Sequence, residues 1–148
     1  MGTRAGAYLA VTIALGCGPS RTPVAQAPAM ATEARAVRDL IALALDLDQA
    51  ASPAADTLLD EGALIIANGR ERPAPPRFAA IGPGGIVTIT TVQVEIAPGG
   101  LAWAFAAYRW AGEGRSAPEI GTATIVLRLR AGGWKISHAH SSQQLPWQ

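Results

Sequence analysis

The chain has 148 residues, of which 49% are hydrophobic and 16% are charged. This composition fits one folded domain with a buried core and excludes a largely disordered chain. The formal net charge is +1. Because the basic residues form no cluster, the sequence predicts no nucleic-acid partner. The single cysteine excludes a disulfide within the chain.

The N-terminus predicts export. Arg4 precedes an uncharged, mostly apolar stretch, residues 5–15, which is too short to anchor the chain by spanning a bilayer. The sequence Ala14-Leu15-Gly16-Cys17 resembles the lipobox of bacterial lipoproteins, although Ala14 stands where leucine is usual. We therefore expect a signal peptide over residues 1–16, lipid on Cys17, and a periplasmic or outer-membrane protein. A cleaved signal without lipid, or a cysteine of no consequence, is the alternative.

The segment that follows predicts a tether and then helices. Residues 17–30 are rich in Pro, Ala, Ser and Gln, which is typical of a flexible linker, so we expect the domain over residues 31–148. Thr32 is suited to cap a helix whose apolar side chains recur with helical spacing. Ser52-Pro53 predicts a second, short helix that ends near Gly62. The apolar positions of the long helix are Val37, Leu40, Ile41, Ala44 and Leu45.

The rest of the chain predicts strands. Residues 63–67 form a short apolar run that Asn68-Gly69 ends as a turn. The many prolines and glycines of residues 73–85 predict a loop. We expect four further strands, over residues 86–96, 101–110, 120–130 and 134–142. Helices followed by antiparallel strands predict an α+β domain in which the helices cover one face of a curved sheet.

The last strand carries the candidate site. Side chains alternate between the two faces of a strand, which places Trp134, Ile136, His138, His140 and Ser142 together. Such a face is apolar at one end and polar at the other, as in the lining of a small-molecule pocket. On the strand over residues 101–110, Trp103, Phe105, Ala107 and Arg109 likewise share a face. The predicted ligand-binding residues are Trp134, His138, His140, Ser142, Trp103 and Arg109.

The two histidines are the best candidates for catalysis. On one strand face their Cα atoms lie roughly 7 Å apart, and imidazole is the side chain that titrates near neutral pH. A structural or ligand-orienting role is the alternative to acid–base chemistry. A His-x-His pair supplies two metal ligands and the sequence shows no clear third, since Asp60, Glu61 and Glu95 cannot be placed. We therefore expect neither a metal nor a cofactor.

The closing hairpin, GTATIVLRLRAGGWKISHAHSS, resembles that of the SnoaL-like, or nuclear transport factor 2-like, superfamily. Asn68-Gly69 and Ala102-Trp103 add to the resemblance, which covers residues 31–147. It implies a cone-shaped, mixed or antiparallel sheet wrapped around a long N-terminal helix and short helices. Ketosteroid isomerase relatives place a carboxylate near the position of Asp60 and a tyrosine on the long helix. Because this helix has no tyrosine on its apolar face, that mechanism is not indicated.

Three functions remain open. The first is binding of a small apolar or carbonyl-containing ligand inside the cone. The second is a cofactor-free isomerase, dehydratase or cyclase that uses a pocket histidine as general acid or base. The third is a dimerisation module without activity. A homodimer is expected in each case, because relatives dimerise through the outer sheet and the face with Tyr108 and Trp110 would otherwise leave an exposed apolar patch.

Overall fold

The computed structural model describes residues 26–144. The predicted signal peptide, Cys17, the first nine tether residues and the last four residues of the predicted domain lie outside this range. In chain order the elements are helix α1 (Gln26–Gln49), a 3-10 helix (Pro53–Leu58), and strands β1 (Leu59–Ala67), β2 (Arg70–Glu71), β3 (Ile86–Ala97), β4 (Leu101–Ala111), β5 (Glu119–Arg130) and β6 (Gly133–Gln144). Neither helix in this range is long and apolar enough to cross a membrane.

The six strands form one curved, open sheet in the order β2-β1-β6-β5-β4-β3. Strand β1 runs parallel to β6, and every other neighbouring pair is antiparallel. Helix α1 packs against one face, which we call the inner face, and the opposite face is the outer face. The predicted α+β fold, with a long helix against one side of a curved mixed sheet, is confirmed.

Helix α1 begins at Gln26, earlier than the predicted cap at Thr32, so residues 26–30 are helical rather than part of a linker. Alanines favour helix in this stretch, and a proline in the first turn is tolerated because its missing N–H would have no partner there. The short helix is confirmed as a 3-10 helix, and the Ser52 hydroxyl caps it by accepting from the N–H of Ala54 at 3.3 Å.

The inner face of β4 carries three small side chains and two large ones, all buried: Ala102, Ala104, Ala106, Tyr108 and Trp110. The alanines let α1 approach the sheet closely, and close packing is what stabilises a core. The two faces of β4 therefore point in the opposite directions to those predicted from the sequence. Tyr108 and Trp110 face the core, whereas Trp103, with 43% of its surface exposed, and Arg109 lie on the outer face.

A β-bulge in β6 changes which side chains face inward. Leu127 pairs with Ile136 but Val126 pairs with His138, so Ser137 is an extra residue in the ladder. One inserted residue reverses the alternation beyond it. The buried positions on this strand are Trp134, Ile136, Ala139 and Ser141. The predicted common face is therefore wrong, because His138, His140 and Ser142 point outward while Trp134 points into the core.

Candidate functional site

A buried loop lies against the inner face of the sheet. We call residues 73–85, between β2 and β3, the strap. Its central residues, 77–81, are only 4–8% exposed. A buried loop has no water to satisfy its backbone, so its N–H and C=O groups need partners from the rest of the protein. The strap finds these partners on α1, β4 and β6.

The last turn of α1 binds the strap at its centre and near its C-terminal end. The Asp48 carboxylate accepts the N–H of Arg77 at 2.7 and 2.8 Å and that of Phe78 at 2.9 Å. The Gln49 side chain accepts the N–H of Val87 at 2.6 Å, and its backbone carbonyl accepts that of Gly84 at 2.9 Å. The path of the strap is therefore set by two adjacent residues at the end of the helix.

Two strand residues hold the middle of the strap. Ser141 Oγ accepts the N–H of Ala79 at 2.9 Å, and the Tyr108 hydroxyl donates to the Ala79 carbonyl at 2.7 Å. The Phe78 ring also packs edge-on against the Tyr108 ring, with centroids 6.5 Å apart. Both Tyr108 and Ser141 are buried. Their hydroxyls therefore bind the chain's own backbone in the interior.

Burial governs the ionisation of this cluster. Asp48 is 1% exposed, and desolvation raises the pKa of its carboxyl group even though the N–H groups of Phe78 and Arg77 and the Arg77 charge oppose the rise. Burial, together with the nearby Asp48 charge, also raises the pKa of Tyr108. Tyr108 therefore remains a hydroxyl donor at any physiological pH.

The Arg77 side chain anchors the other side of the strap. It is 5% exposed, pairs with Asp56 on the 3-10 helix, and donates to the Pro73 carbonyl at 2.8 Å. Its Nε has no partner among residues 26–144. A buried guanidinium is stable only when paired, so Asp56 is part of what keeps the strap in place.

Beside the strap, at the end of the sheet where β1 and β6 finish, lies an open cavity of about 220 Å³, which we call the mouth cavity. It combines strap backbone, aromatic rings and charged or polar side chains. The lining residues are Asn68, Arg72, Pro76, Phe78, Ala79, Ala80, Ile81, Gly82, Trp110, Arg115, Glu119 and Gln143.

One hydrogen-bonded network covers most of the polar wall. Glu119 pairs with Arg115 and accepts from Gln143 Nε2 at 2.8 Å, while the N–H of Gln143 donates to Asn68 Oδ1 at 2.9 Å. Arg115 also lies over the Trp110 ring, 5.3 Å from its centroid. The charge of Glu119 is thus compensated within the wall.

Three of the lining residues carry donors without a partner in the described chain. The Arg72 side chain has no hydrogen bond or ion pair within the described part of the chain, and the same holds for the backbone N–H groups of Ala80 and Gly82. Ala80 closes a turn in which the N–H of Ile81 donates to the Phe78 carbonyl at 3.3 Å. Its φ of 65° is uncommon for a residue other than glycine or asparagine.

None of the six predicted ligand-binding residues lines the mouth cavity. Trp134 is in the core, and the other five (Trp103, Arg109, His138, His140 and Ser142) share the outer face. The strand register places His138 beside Val126, and Val126 beside Trp103, in one row across the sheet.

Asp60, which the sequence could not place, lies in β1 and pairs with Arg130. Hydrogen bonding from that guanidinium lowers the pKa of the Asp60 carboxyl. The carboxylate of Asp60 is therefore ionised and bound to Arg130, so its role is structural.

The residues that hold the strap were not identified from the sequence. One signal was present for Asp48, because it follows Ile41 and Leu45 at helical spacing and so lies on the apolar face of α1. A carboxylate on a buried helix face needs a partner. No comparable signal marks Ser141, because its inward direction depends on the bulge at Ser137.

Comparison with known proteins agrees with this architecture. The SnoaL-like domain profile matches residues 66–146. A search of curated protein sequences gave no match.

Solved structures similar to the chain share its fold at low sequence identity. An NTF2-like protein with a cystatin-like fold from Novosphingobium aromaticivorans is 15% identical, with a TM-score of 0.63, over 84% of this chain and 90% of that one. A ketosteroid isomerase-like protein from Erwinia carotovora atroseptica is 18% identical, with a TM-score of 0.57, over 77% and 98%. The association domain of C. elegans CaMKII is 13% identical, with a TM-score of 0.61, over 77% and 98%.

Replacing Asp48 tests its role in the strap. Asp48→Ala leaves two buried N–H groups without an acceptor, so we expect the free energy of unfolding to fall by about 3 kcal/mol. Asp48→Asn keeps one acceptor oxygen and removes the buried charge, so it is expected to be much better tolerated. Urea denaturation of the three proteins measures both effects. An Asp48→Ala variant as stable as the wild type would contradict this assignment.

The same variants give a pH dependence of known sign. Folding raises the pKa of the Asp48 carboxyl group above its value in the unfolded chain, which is about 3.9. The folded state therefore binds this proton more tightly than the unfolded state does. The free energy of unfolding of the wild type, relative to that of Asp48→Asn, should therefore be greatest below pH 4. It should decline as the pH rises through the raised pKa. A difference that grows with pH would show that ionised Asp48 is favoured by folding.

Proposed function

The chain belongs to the SnoaL-like domain family, and we propose that it binds a small molecule in the mouth cavity. One observation carries the proposal: an aromatic wall, an unpaired arginine and two strap residues whose N–H groups have no acceptor in the described chain line one cavity. Ligand sites combine an apolar surface with a few polar groups that fix orientation. Here Phe78 and Trp110 supply the rings.

The size and openness of the cavity favour a small ligand held without covalent chemistry. Its volume of about 220 Å³ is below the range typical of drug-sized ligands, about 300–1,000 Å³. The inner hydroxyls of Tyr108 and Ser141 are already engaged with the strap. The histidines proposed as general bases face outward, so acid–base chemistry by them in this cavity is not supported.

An NMR titration of the full chain with benzoate, benzamide and acetophenone tests ligand binding. We expect at least one probe to shift the amide signals of Ala80 and Gly82 and the indole N–H of Trp110. The indole N–H of Trp103, on the outer face, serves as the internal control and should not move. Shifts confined to Trp103, or none at millimolar concentration, would contradict a site in the mouth cavity.

A second role, self-association, is favoured by the outer face. Three neighbouring strands, β6, β5 and β4, place His138, Val126 and Trp103 in one row, and β1 adds Leu64 beside His138. Leu64 is 38% and Trp103 43% exposed. The row ends at the exposed Glu95 on β3, which pairs with Trp103. Apolar and aromatic groups with charge at the edge are typical of an interface. The similarity to a domain described as an association domain supports the same role.

We therefore propose a homodimer formed by two outer faces related by a two-fold axis. Light scattering at micromolar concentration should give twice the 15.2 kDa mass of the chain. Trp103→Glu places a charge at the centre of the interface and should yield a monomer. Leu43→Glu, a similar change at an exposed leucine on α1, is the matched control and should leave the dimer intact. A monomeric wild type, or equal effects of both variants, would overturn the dimer proposal.

Export and anchoring remain a proposal from the sequence. Arg4, the apolar residues 5–15 and Cys17 support a bacterial lipoprotein whose domain is held at a membrane surface by lipid. These residues lie outside the part of the chain that the structure describes.

A further inference from the structure

We infer that the ligand of the mouth cavity carries a carboxylate, and that Arg72 is its principal partner. This inference rests on the proposed function and names the chemical class of the ligand. Three observations lead to it: the balance of charges around the cavity, the unused donors of the strap, and the weakness of the one ion pair that a ligand would meet.

The charges around the cavity favour an anion. Its charged lining residues are Arg72, Arg115 and Glu119. Glu119 is compensated by Arg115 and by the side chain of Gln143. Arg72 therefore contributes a positive charge that no residue of the described chain balances. A guanidinium presents paired N–H donors that match the two oxygens of a carboxylate.

The strap supplies the neutral donors that an oxyanion also needs. The N–H groups of Ala80 and Gly82 lack acceptors, and Ala80 adopts a positive φ of 65°. Backbone N–H groups around a turn with a left-handed residue form anion-binding concavities in other proteins. Ala80 in this conformation lines the cavity, and the bonds of Asp48, Ser141 and Tyr108 to residues 77–79 hold the adjoining part of the strap in place.

The pair between Arg115 and Glu119 is open to competition. Arg115 is 55% exposed, and exposed ion pairs contribute little to stability. Arg115, which rests on Trp110, lines the same cavity as Arg72 and offers a second cation to a carboxylate bound there. The rings of Trp110 and Phe78 would then contact the apolar part of the same ligand. An aromatic carboxylate is accordingly the simplest probe.

The experiment compares benzoate with benzamide, which has the same ring and shape but no charge, by NMR titration of the full chain. Benzoate should bind at least about fivefold more tightly than benzamide. Arg72→Gln should remove most of that difference. Arg70→Gln, which removes an exposed arginine on β2 that does not line the cavity, is the matched control and should leave it unchanged.

Each remaining outcome decides a separate point. Equal binding of benzoate and benzamide, unaffected by Arg72→Gln, would overturn the carboxylate inference and leave the proposed ligand site intact. Inorganic phosphate that displaces benzoate at equal concentration would show a general anion site rather than a carboxylate site. Failure of both aromatic probes to bind at millimolar concentration would remove the proposed function as well.

Discussion

The carboxylate of Asp48 is the interaction on which the inner side of this molecule depends. It lies at the end of α1 and accepts two N–H groups of a buried loop, to which Ser141 and Tyr108 each add a single hydrogen bond. Burying a charge is unfavourable unless hydrogen bonds compensate it, and here burial outweighs the compensation, since the pKa is raised. Asp48 therefore holds the strap in place, although the burial of its charge lowers the stability of the folded state.

The strap in turn determines what the interior of the cone can do. Because residues 77–81 are buried against the inner face, the polar groups of the interior contact the chain's own backbone. Arg72 lies at the rim, where the strap residues Ala80 and Gly82 also line the mouth cavity. Half of the residues that line this cavity belong to the strap, in keeping with a fold that supports many functions through local sites.

Apart from the two-residue strand β2 and the early start of β1 at Leu59, the order and type of the elements could be predicted from the sequence, because their signals are local. The Ser52-Pro53 cap, the Asn68-Gly69 turn and the glycines between the strands each act within a few residues. The inward and outward faces could not be predicted in the same way. On β6 the alternation is reversed by the extra residue Ser137, and on β4 the alanine side was chosen by the helix that packs on it.

The candidate site depends on contacts between residues that lie far apart in the sequence, and no local pattern predicts them. Asp48 and Arg77 are 29 positions apart, and Ala79 and Ser141 are 62 apart. The histidines, which dominated the prediction, belong to the outer face with Trp103. This placement puts them on the outer face of the sheet, away from the pocket lining that the simple alternation of side chains predicted.

Hydrogen exchange of the strap amides tests most directly whether Asp48 holds the strap. The account predicts that the N–H groups of Arg77 and Phe78 exchange slowly in the wild type, as those of the sheet core do. In Asp48→Ala they should exchange more than about a hundredfold faster and lose more protection than the core amide of Ile125, whose loss is set by the fall in global stability alone. Fast exchange of Arg77 and Phe78 in the wild type, or a loss of protection in the variant that is no larger at these two amides than at Ile125, would contradict the account.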